Sequence, residues 1–335
     1  MAEKKILVTG GAGYIGSFAC KALKENGYLP IVFDNLSTGH KESVRWGPFI
    51  YGDLEDSQDL DNLFKKHQFD AVMHFAASAI VSESTKNPSL YYTNNVKNTI
   101  LLLEAMRKNH VNKLIFSSSC ATYGNPVFSP ITEQHPQNPI NPYGTSKWMI
   151  EKILEDYHLK HDLSYVSLRY FNAAGADPGN FLGENHANET HIIPLVIETA
   201  FKKRDRFTIY GNTFPTKDGT AIRDYIHVLD IADAHLKACS WLENNMGKSL
   251  VVNLGTCRGY SILEIINMVE KLTDKKVPFI FAPIREGEPS HLVSENTKAR
   301  MNLGWAPEHS DLEKIIAGAI VWHENLLSLS KKALI

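Results

Sequence analysis

Cysteine is scarce in this chain. The four present among 335 residues, Cys20, Cys120, Cys239 and Cys257, are widely spaced with no CxxC pair, which excludes a disulfide framework and a cysteine-based zinc site. Excess positive charge is also missing: 35 Lys and Arg stand against 37 Asp and Glu, a net charge of −2 with a pI near 6.7. No overall field would therefore hold a nucleic-acid backbone. The basic cluster Lys202, Lys203, Arg204 and Arg206 is interrupted by Asp205 and reads as a solvated helix end. No apolar run approaches the ~18 residues of a membrane span. The polar Met1-Ala2-Glu3-Lys4 passes straight into strand-like Lys5-Ile6-Leu7-Val8, with no apolar leader between them. The expectation is a cytoplasmic protein that binds neither nucleic acid nor membrane. Histidine is plentiful, but His186 and His191 have no carboxylate partner at helical spacing, and His227 and His235 are too far apart to pair on one turn. No metal is expected.

What is present is an ordinary globular composition, 43% hydrophobic and 21% charged. The length exceeds the ~250–300 residues at which one core stops growing, which implies two lobes. The first half repeats a short β-branched run, a turn and a helical pattern. Strands are expected at 5–9, 29–34, 71–75, 113–117 and 163–169, and helices at 15–26, 59–66, 88–109 and 142–161. That alternation predicts an α/β doubly wound parallel sheet. After Asn172 a long polar loop and shorter mixed elements predict a smaller α/β lobe, dividing the chain into 1–172 and 173–335, with some later segments returning to the first domain. Ser261-Ile262-Leu263-Glu264 has the spacing of a capping box and predicts a helix running to Leu272.

Directly after the first strand stands Thr9-Gly10-Gly11-Ala12-Gly13-Tyr14-Ile15-Gly16. Glycines at 10, 13 and 16 permit a tight turn, close backbone approach to a pyrophosphate and close helix packing, with the helix N-terminus favouring the anion. Asp34 closes the second strand, where a carboxylate accepts from ribose hydroxyls. Its charge would repel the extra phosphate of NADP, and Asn35, Leu36 and Ser37 offer no arginine to receive it. NAD is the expected cofactor.

Tyr143-Gly144-Thr145-Ser146-Lys147 follows Asn141-Pro142, a favourable cap and first-turn pair, so tyrosine and lysine share one helix face. A phenol is a poor base at neutral pH, and an ammonium beside it stabilises the phenolate. Ser117-Ser118-Ser119 closes the preceding strand and brings a hydroxyl to the same strand-end crevice.

Glycine loop, acidic residue, serine and Tyr-x-x-x-Lys, in that order, resemble the extended short-chain dehydrogenase/reductase superfamily and its Rossmann fold. His74-Phe75-Ala76-Ala77, Tyr91-Tyr92-Thr93-Asn94-Asn95, Leu168-Arg169-Tyr170-Phe171-Asn172 and Gly219 to His227 look like the corresponding stretches of UDP-glucose 4-epimerases. The 138–147 stretch also resembles UDP-pentose 4-epimerases, and a non-catalytic NAD-sensing protein would keep the same fold. The dehydratases and decarboxylases of the superfamily carry a carboxylate just after the reactive Ser or Thr. Here Ser119 is followed by Cys120-Ala121-Thr122-Tyr123.

The resemblance implies that Ser119, Tyr143 and Lys147 are catalytic. It implies an NAD site formed by Gly10, Gly13, Tyr14, Ile15, Gly16, Asp34, Asn35, Asp53, Leu54, Phe75, Ala76, Ala77, Asn94 and Phe171. It assigns the UDP-sugar to Asn172, Tyr210, Arg223, Arg285 and Glu288, and implies a homodimer formed through helices 88–109 and 142–161. Ala79 stands where some epimerases carry lysine, His191 where asparagine is frequent, and Glu288 where aspartate is. Leu292 aligns with a tyrosine that closes the pocket to N-acetyl groups in some members, so N-acetylhexosamine substrates are also expected.

Overall fold

A computed structural model describes residues 3–285 and 288–332. The first half builds β1 (Lys4–Thr9), α1 (Tyr14–Glu25), β2 (Tyr28–Asp34), β3 (Phe49–Tyr51), α2 (Ser57–Lys66), β4 (Ala71–His74), α3 (Val81–Lys86), α4 (Pro88–Tyr91), α5 (Asn98–Lys108), β5 (Lys113–Ser119), α6 (Pro142–His161) and β6 (Ser164–Tyr170). The remainder adds β7 (Asn172–Ala174), α7 (Ile192–Ala200), β8 (Phe207–Tyr210), β9 (Ile222–Arg223), β10 (Tyr225–His227), α8 (Val228–Asn244), β11 (Ser249–Leu254), β12 (Tyr260–Ser261), α9 (Ile262–Thr273), β13 (Phe279–Ala282), β14 (His291–Leu292), α10 (Thr297–Leu303) and α11 (Leu312–Lys332).

Seven strands form one sheet in the order β11-β6-β5-β4-β1-β2-β3, with every pair parallel. This is the doubly wound arrangement, and its order reverses between β1 and β4. Side chains alternate across the strands. Ile6 and Val8 pack with Ala19, Leu23, Ala234 and Ala238 under α1 and α8, whereas Leu7 packs with Leu63, Leu103 and Leu154 under α2, α5 and α6. A separate core of Ile193, Val196, Ile265, Val269 and Ile315 joins α7, α9 and α11.

Two strands of the sheet lie outside the expected pattern. β3 is only three residues long, and β11 comes from the second half of the chain to pair with β6. The expected single helix over 88–109 is three pieces: α4, a π turn at Tyr92–Lys97, and α5. A π turn carries one extra residue, which the 3.6-residue period cannot reveal. Here it turns Asn95 inward, where the side chain accepts from Ser78 N (2.8 Å) and donates to Ser78 O and Ser146 Oγ (3.0 Å each).

Helix α6 follows its sequence signals closely. Asn141 Oδ1 accepts from Gly144 N at 2.8 Å, Pro142 occupies the first turn, and Asp162 ends the helix in the left-handed conformation. α9 likewise begins at the Ser261–Glu264 capping box.

A buried ion pair locks α6 to the sheet. Glu151 accepts from Arg169 (Nε to Oε1 2.9 Å, Nη2 to Oε2 2.5 Å), from the hydroxyls of Ser118 (2.6 Å) and Ser167 (3.0 Å), and from Gln137 Nε2 (2.8 Å). Burial raises the Glu151 pKa, but the Arg169 guanidinium and the other donors hold it below the ordinary 4.5. Glu151→Ala strands a buried guanidinium, and the expected loss is about 3–5 kcal/mol by chemical denaturation. A depressed folded-state pKa stabilises the protein above 4.5 and loses that contribution as the pH falls below it. Stability should therefore fall more steeply below that pH in the natural protein than in Glu151→Gln, as measured by urea midpoints.

Candidate active site

The crevice at the carboxyl edge of β1 and β4 is shaped by glycine. Gly10 has φ +73°, donates to Phe33 O at 3.0 Å, and would place a Cβ 2.5 Å from Ala76 N. Gly16 lies so close to Gly10 O and Gly11 Cα that a side chain there would push α1 off the loop. Gly13 caps α1 with extended backbone and no side-chain bond. The amides of the first turn of α1 are therefore open to an anion.

Asp34, at the end of β2, accepts from Ala12 N (3.0 Å) and Leu36 N (2.8 Å). Burial raises its pKa, and those two amides counteract the rise. Asn35 Nδ2 donates to Asp53 Oδ2 at 2.8 Å, and Leu54 is buried beside them among the side chains of α2. Phe75 and Ala76 both donate backbone N–H to Thr9 O, which sets 75–77 against the glycine loop. Asn94 Nδ2 reaches Ser78 Oγ at 3.0 Å, and the Tyr14 phenol donates to Gly175 O at 2.6 Å. Ile15 packs against both apolar clusters that flank α1.

Ser119, Tyr143 and Lys147, the three residues expected to be catalytic, meet at the end of β5, which runs two residues further than expected, to Ser119. Lys147 Nζ donates to Ser117 O at 2.8 Å and lies 4.9 Å from the Phe116 ring centroid and 6.0 Å from that of Tyr143. Burial lowers the Lys147 pKa to about 7. Burial also pushes Tyr143 up to about 12, while its hydrogen bond with Ser119 works against the rise. An alcohol placed between Ser119 and Tyr143 would meet a hydroxyl and a phenol, with an ammonium behind them.

Sequence reasoning missed two supports of this trio. The Tyr170 phenol bonds the Ser117 hydroxyl. His74 bridges Thr9 Oγ1 (2.7 Å) and Thr99 Oγ1 (2.8 Å), with burial lowering its pKa to about 3, so it acts as a neutral strut.

The facing wall comes from the second half of the chain. Arg223 Nη2 meets Glu288 Oε1 at 2.5 Å, and Glu288 N donates to Arg285 O at 3.1 Å. The Arg285 guanidinium lies 3.7 Å over the Tyr210 ring centroid. Leu292 is the parallel partner of Arg223 and, like Cys120, packs against the cluster of Tyr123, Ile131 and Phe171, while Asn172 N donates to Asp224 O at 2.9 Å. The structure thus brings Arg223, Arg285 and Glu288 onto one stretch of wall.

His191 does not stand alone. Glu184, His186, Glu189 and His191 converge on the segment that leads into α7, with their nitrogen and carboxylate oxygen atoms all within 4.8 Å of one another. The expectation of no carboxylate partner fails twice: Glu189 stands three residues after His186, a helical spacing, and the segment is a loop that also brings Glu184 to both rings. His186 also lines a pocket with Ala12, Gly13, Tyr14, Thr38 and His40. Burial lowers the His186 pKa, but hydrogen bonds to Glu184 and Glu189 lift it to about 10. Burial raises that of Glu184, but the charges and hydrogen bonds of His191 and His186 hold it at about 2.

The model of the NAD dependent epimerase/dehydratase family matches residues 6–255. This chain belongs to that family. It is 48% identical over 323 residues, 96% of this chain and 98% of the relative, to a UDP-glucose 4-epimerase of Rhizobium leguminosarum bv. trifolii. Among solved structures, UDP-glucose 4-epimerase from Brucella ovis in complex with NAD superposes with a TM-score of 0.92 at 48% identity, covering 95% of this chain and 98% of that one. The UDP-Glc/GlcNAc 4-epimerase of Campylobacter jejuni matches with a TM-score of 0.84 at 42% identity, covering 96% and 99%.

The epimerase/dehydratase loop predicts its own test. Gly10→Ala meets both a positive φ and Ala76 N, and the expected cost is about 1–3 kcal/mol. Gly13→Ala meets only Gly10 O, at 3.3 Å, and its loss should be less than half as large. Thermal unfolding of the two variants checks the difference.

Proposed function

We propose that this chain interconverts UDP-galactose and UDP-glucose by NAD-dependent 4-epimerisation through a transient 4-keto sugar. The observation that carries the reading is the meeting of Ser119, Tyr143 and Lys147 at the strand end beside the glycine loop, with no carboxylate in the turn Cys120–Tyr123. A dehydratase or decarboxylase would need a further proton carrier there.

The residues present fit a dinucleotide. Gly10 and Gly16 occupy positions where a Cβ would collide with the loop, Gly13 leaves the helix amides open, and Asp34 stands at the β2 end without an arginine beside it. When bound, NAD supplies a reversible hydride acceptor at carbon 4. Gly10, Gly13 and Gly16 with the Tyr14 and Ile15 amides receive the diphosphate, and Asp34 accepts from a ribose. Asn35, Asp53, Leu54, Phe75, Ala76, Ala77, Asn94 and Phe171 complete the cofactor wall.

Burial lifts the Tyr143 phenol to about 12; the positive charge of the bound oxidised cofactor and of Lys147 would bring it down, so that Tyr143, as phenolate, takes the proton of the 4-hydroxyl while Ser119 hydrogen-bonds the same oxygen. Lys147 stabilises the phenolate. The keto sugar turns within the site and is reduced on its other face, so oxidation and reduction cancel. Arg223 and Arg285 offer guanidinium donors to the diphosphate of the UDP-sugar, with Glu288 orienting Arg223 and with Asn172 and Tyr210 at the same wall. Leu292 leaves room for an N-acetyl group.

We further propose a cytoplasmic homodimer joined through α4, α5 and α6. Leu90, Ile100 and Leu159 supply exposed apolar side chains on those elements and Tyr92 one on the π turn between α4 and α5, and the four free cysteines suit a reducing compartment.

Incubation with UDP-galactose and no added NAD, followed by NMR of the sugar signals, should show UDP-glucose forming. No conversion, with or without NAD, would overturn the reading. Tyr143→Phe should lower kcat by about 100-fold or more with the fold intact by circular dichroism. Leu292→Tyr should suppress N-acetylhexosamine turnover and spare UDP-galactose; unchanged N-acetyl turnover would sink the gate.

A further inference from the structure

We propose that Glu184, His186, Glu189 and His191 form a binding site for one divalent transition-metal ion of the zinc class. Two imidazoles and two carboxylates suit zinc better than magnesium or calcium, which prefer oxygen alone. The donors come from one short segment. His186 Nδ1 stands 3.3 Å from Glu184 Oε1 and 3.4 Å from Glu189 Oε2. A tetrahedron with metal–ligand bonds of about 2.0–2.1 Å has edges of about 3.3–3.4 Å, so these two separations already match a zinc polyhedron. The contact of His191 Nδ1 with Glu184 Oε1 is closer than an edge and would open as the ion enters between them.

The carboxylates are held ready. The Glu184 side chain is 5% exposed and that of Glu189 6%. Glu189 Oε1 is occupied by the amides of Thr190 (2.7 Å) and His191 (2.8 Å), which turns Oε2 inward, and the Glu184 carbonyl accepts from Trp322 Nε1 at 2.8 Å. Two carboxylates buried side by side call for positive charge; without an ion the two imidazoles supply it as cations, and a divalent ion would take over that role as it displaces their protons. The rings of His186 and His191 stand 5.3 Å apart and nearly perpendicular, each presenting Nδ1 to the same oxygen.

Four protein ligands make the site closed and structural. Its place in the fold gives it a purpose: His186 lies edge-on to Tyr14, and His40 Nε2 is hydrogen-bonded to Asn185 O at 2.7 Å. An ion here would pin this segment over the glycine loop at the start of α1.

The test uses tag-free protein stripped with a chelator, dialysed, loaded with zinc chloride and desalted before metal analysis by atomic emission. About one zinc per chain is expected, together with a rise in the unfolding temperature that magnesium does not produce. His186→Ala and Glu189→Gln should each cut retained zinc by about tenfold or more. Because Glu184 is buried and its replacement endangers the fold, these two variants carry the test, with circular dichroism confirming that they fold. A natural protein that retains no zinc, or variants that retain as much as it does, would overturn the proposal and leave a hydrogen-bonded ion cluster only. The readout is metal content, so it stands apart from the epimerase reading.

Discussion

Glu151 sits where four parts of the molecule must agree. Its carboxylate collects hydroxyls from β5 and β6, an amide from the loop before α6, and the guanidinium of Arg169. Arg169 in turn donates to the Tyr123 phenol (2.9 Å), which bonds Asn253 on β11 at 2.7 Å. A buried charge pair is costly to form, and its worth lies in directionality: few other rotations of α6 satisfy every partner. Since Lys147 is one turn before Glu151 and Tyr143 one turn before that, this network sets how the Tyr143 phenol and the Lys147 amine face the end of β5.

Local chemistry was readable from the residues, and long-range pairing was not. The start of α6 was legible because Asn141 and Pro142 act within one turn, and the α9 capping box for the same reason. The glycine loop was legible because positive φ and close approach have few other solutions. β11 was not: Ser249–Leu254 is an apolar run like many others, and its partner β6 lies some eighty residues earlier. The π turn escaped because it interrupts a period without changing the residue types around it.

The site divides along the same line. Ser119, Tyr143 and Lys147 could be brought together from a strand end and a helix cap, both local signals. The pairing of Arg223 with Glu288, the seating of Arg285 on Tyr210 and the convergence of Glu184 with His186 depend on loops, where spacing in sequence says little about spacing in space. Resemblance named most of the first group of wall residues, while nothing in the residues themselves announced the last.

The late arrival of α8 and β11 bears on how the molecule is made. Six strands are complete by Tyr170, yet α1 buries Ala19 and Leu23 against Ala234, Ala238 and Leu242. During synthesis the glycine loop and its helix therefore emerge first and wait through about two hundred further residues for their covering face. Until α8 is made, α1 and the apolar side chains of the sheet beside it lack their cover. The core that α1 shares with the sheet is complete only when α10 and Trp305 have been added, about nine-tenths of the way along the chain.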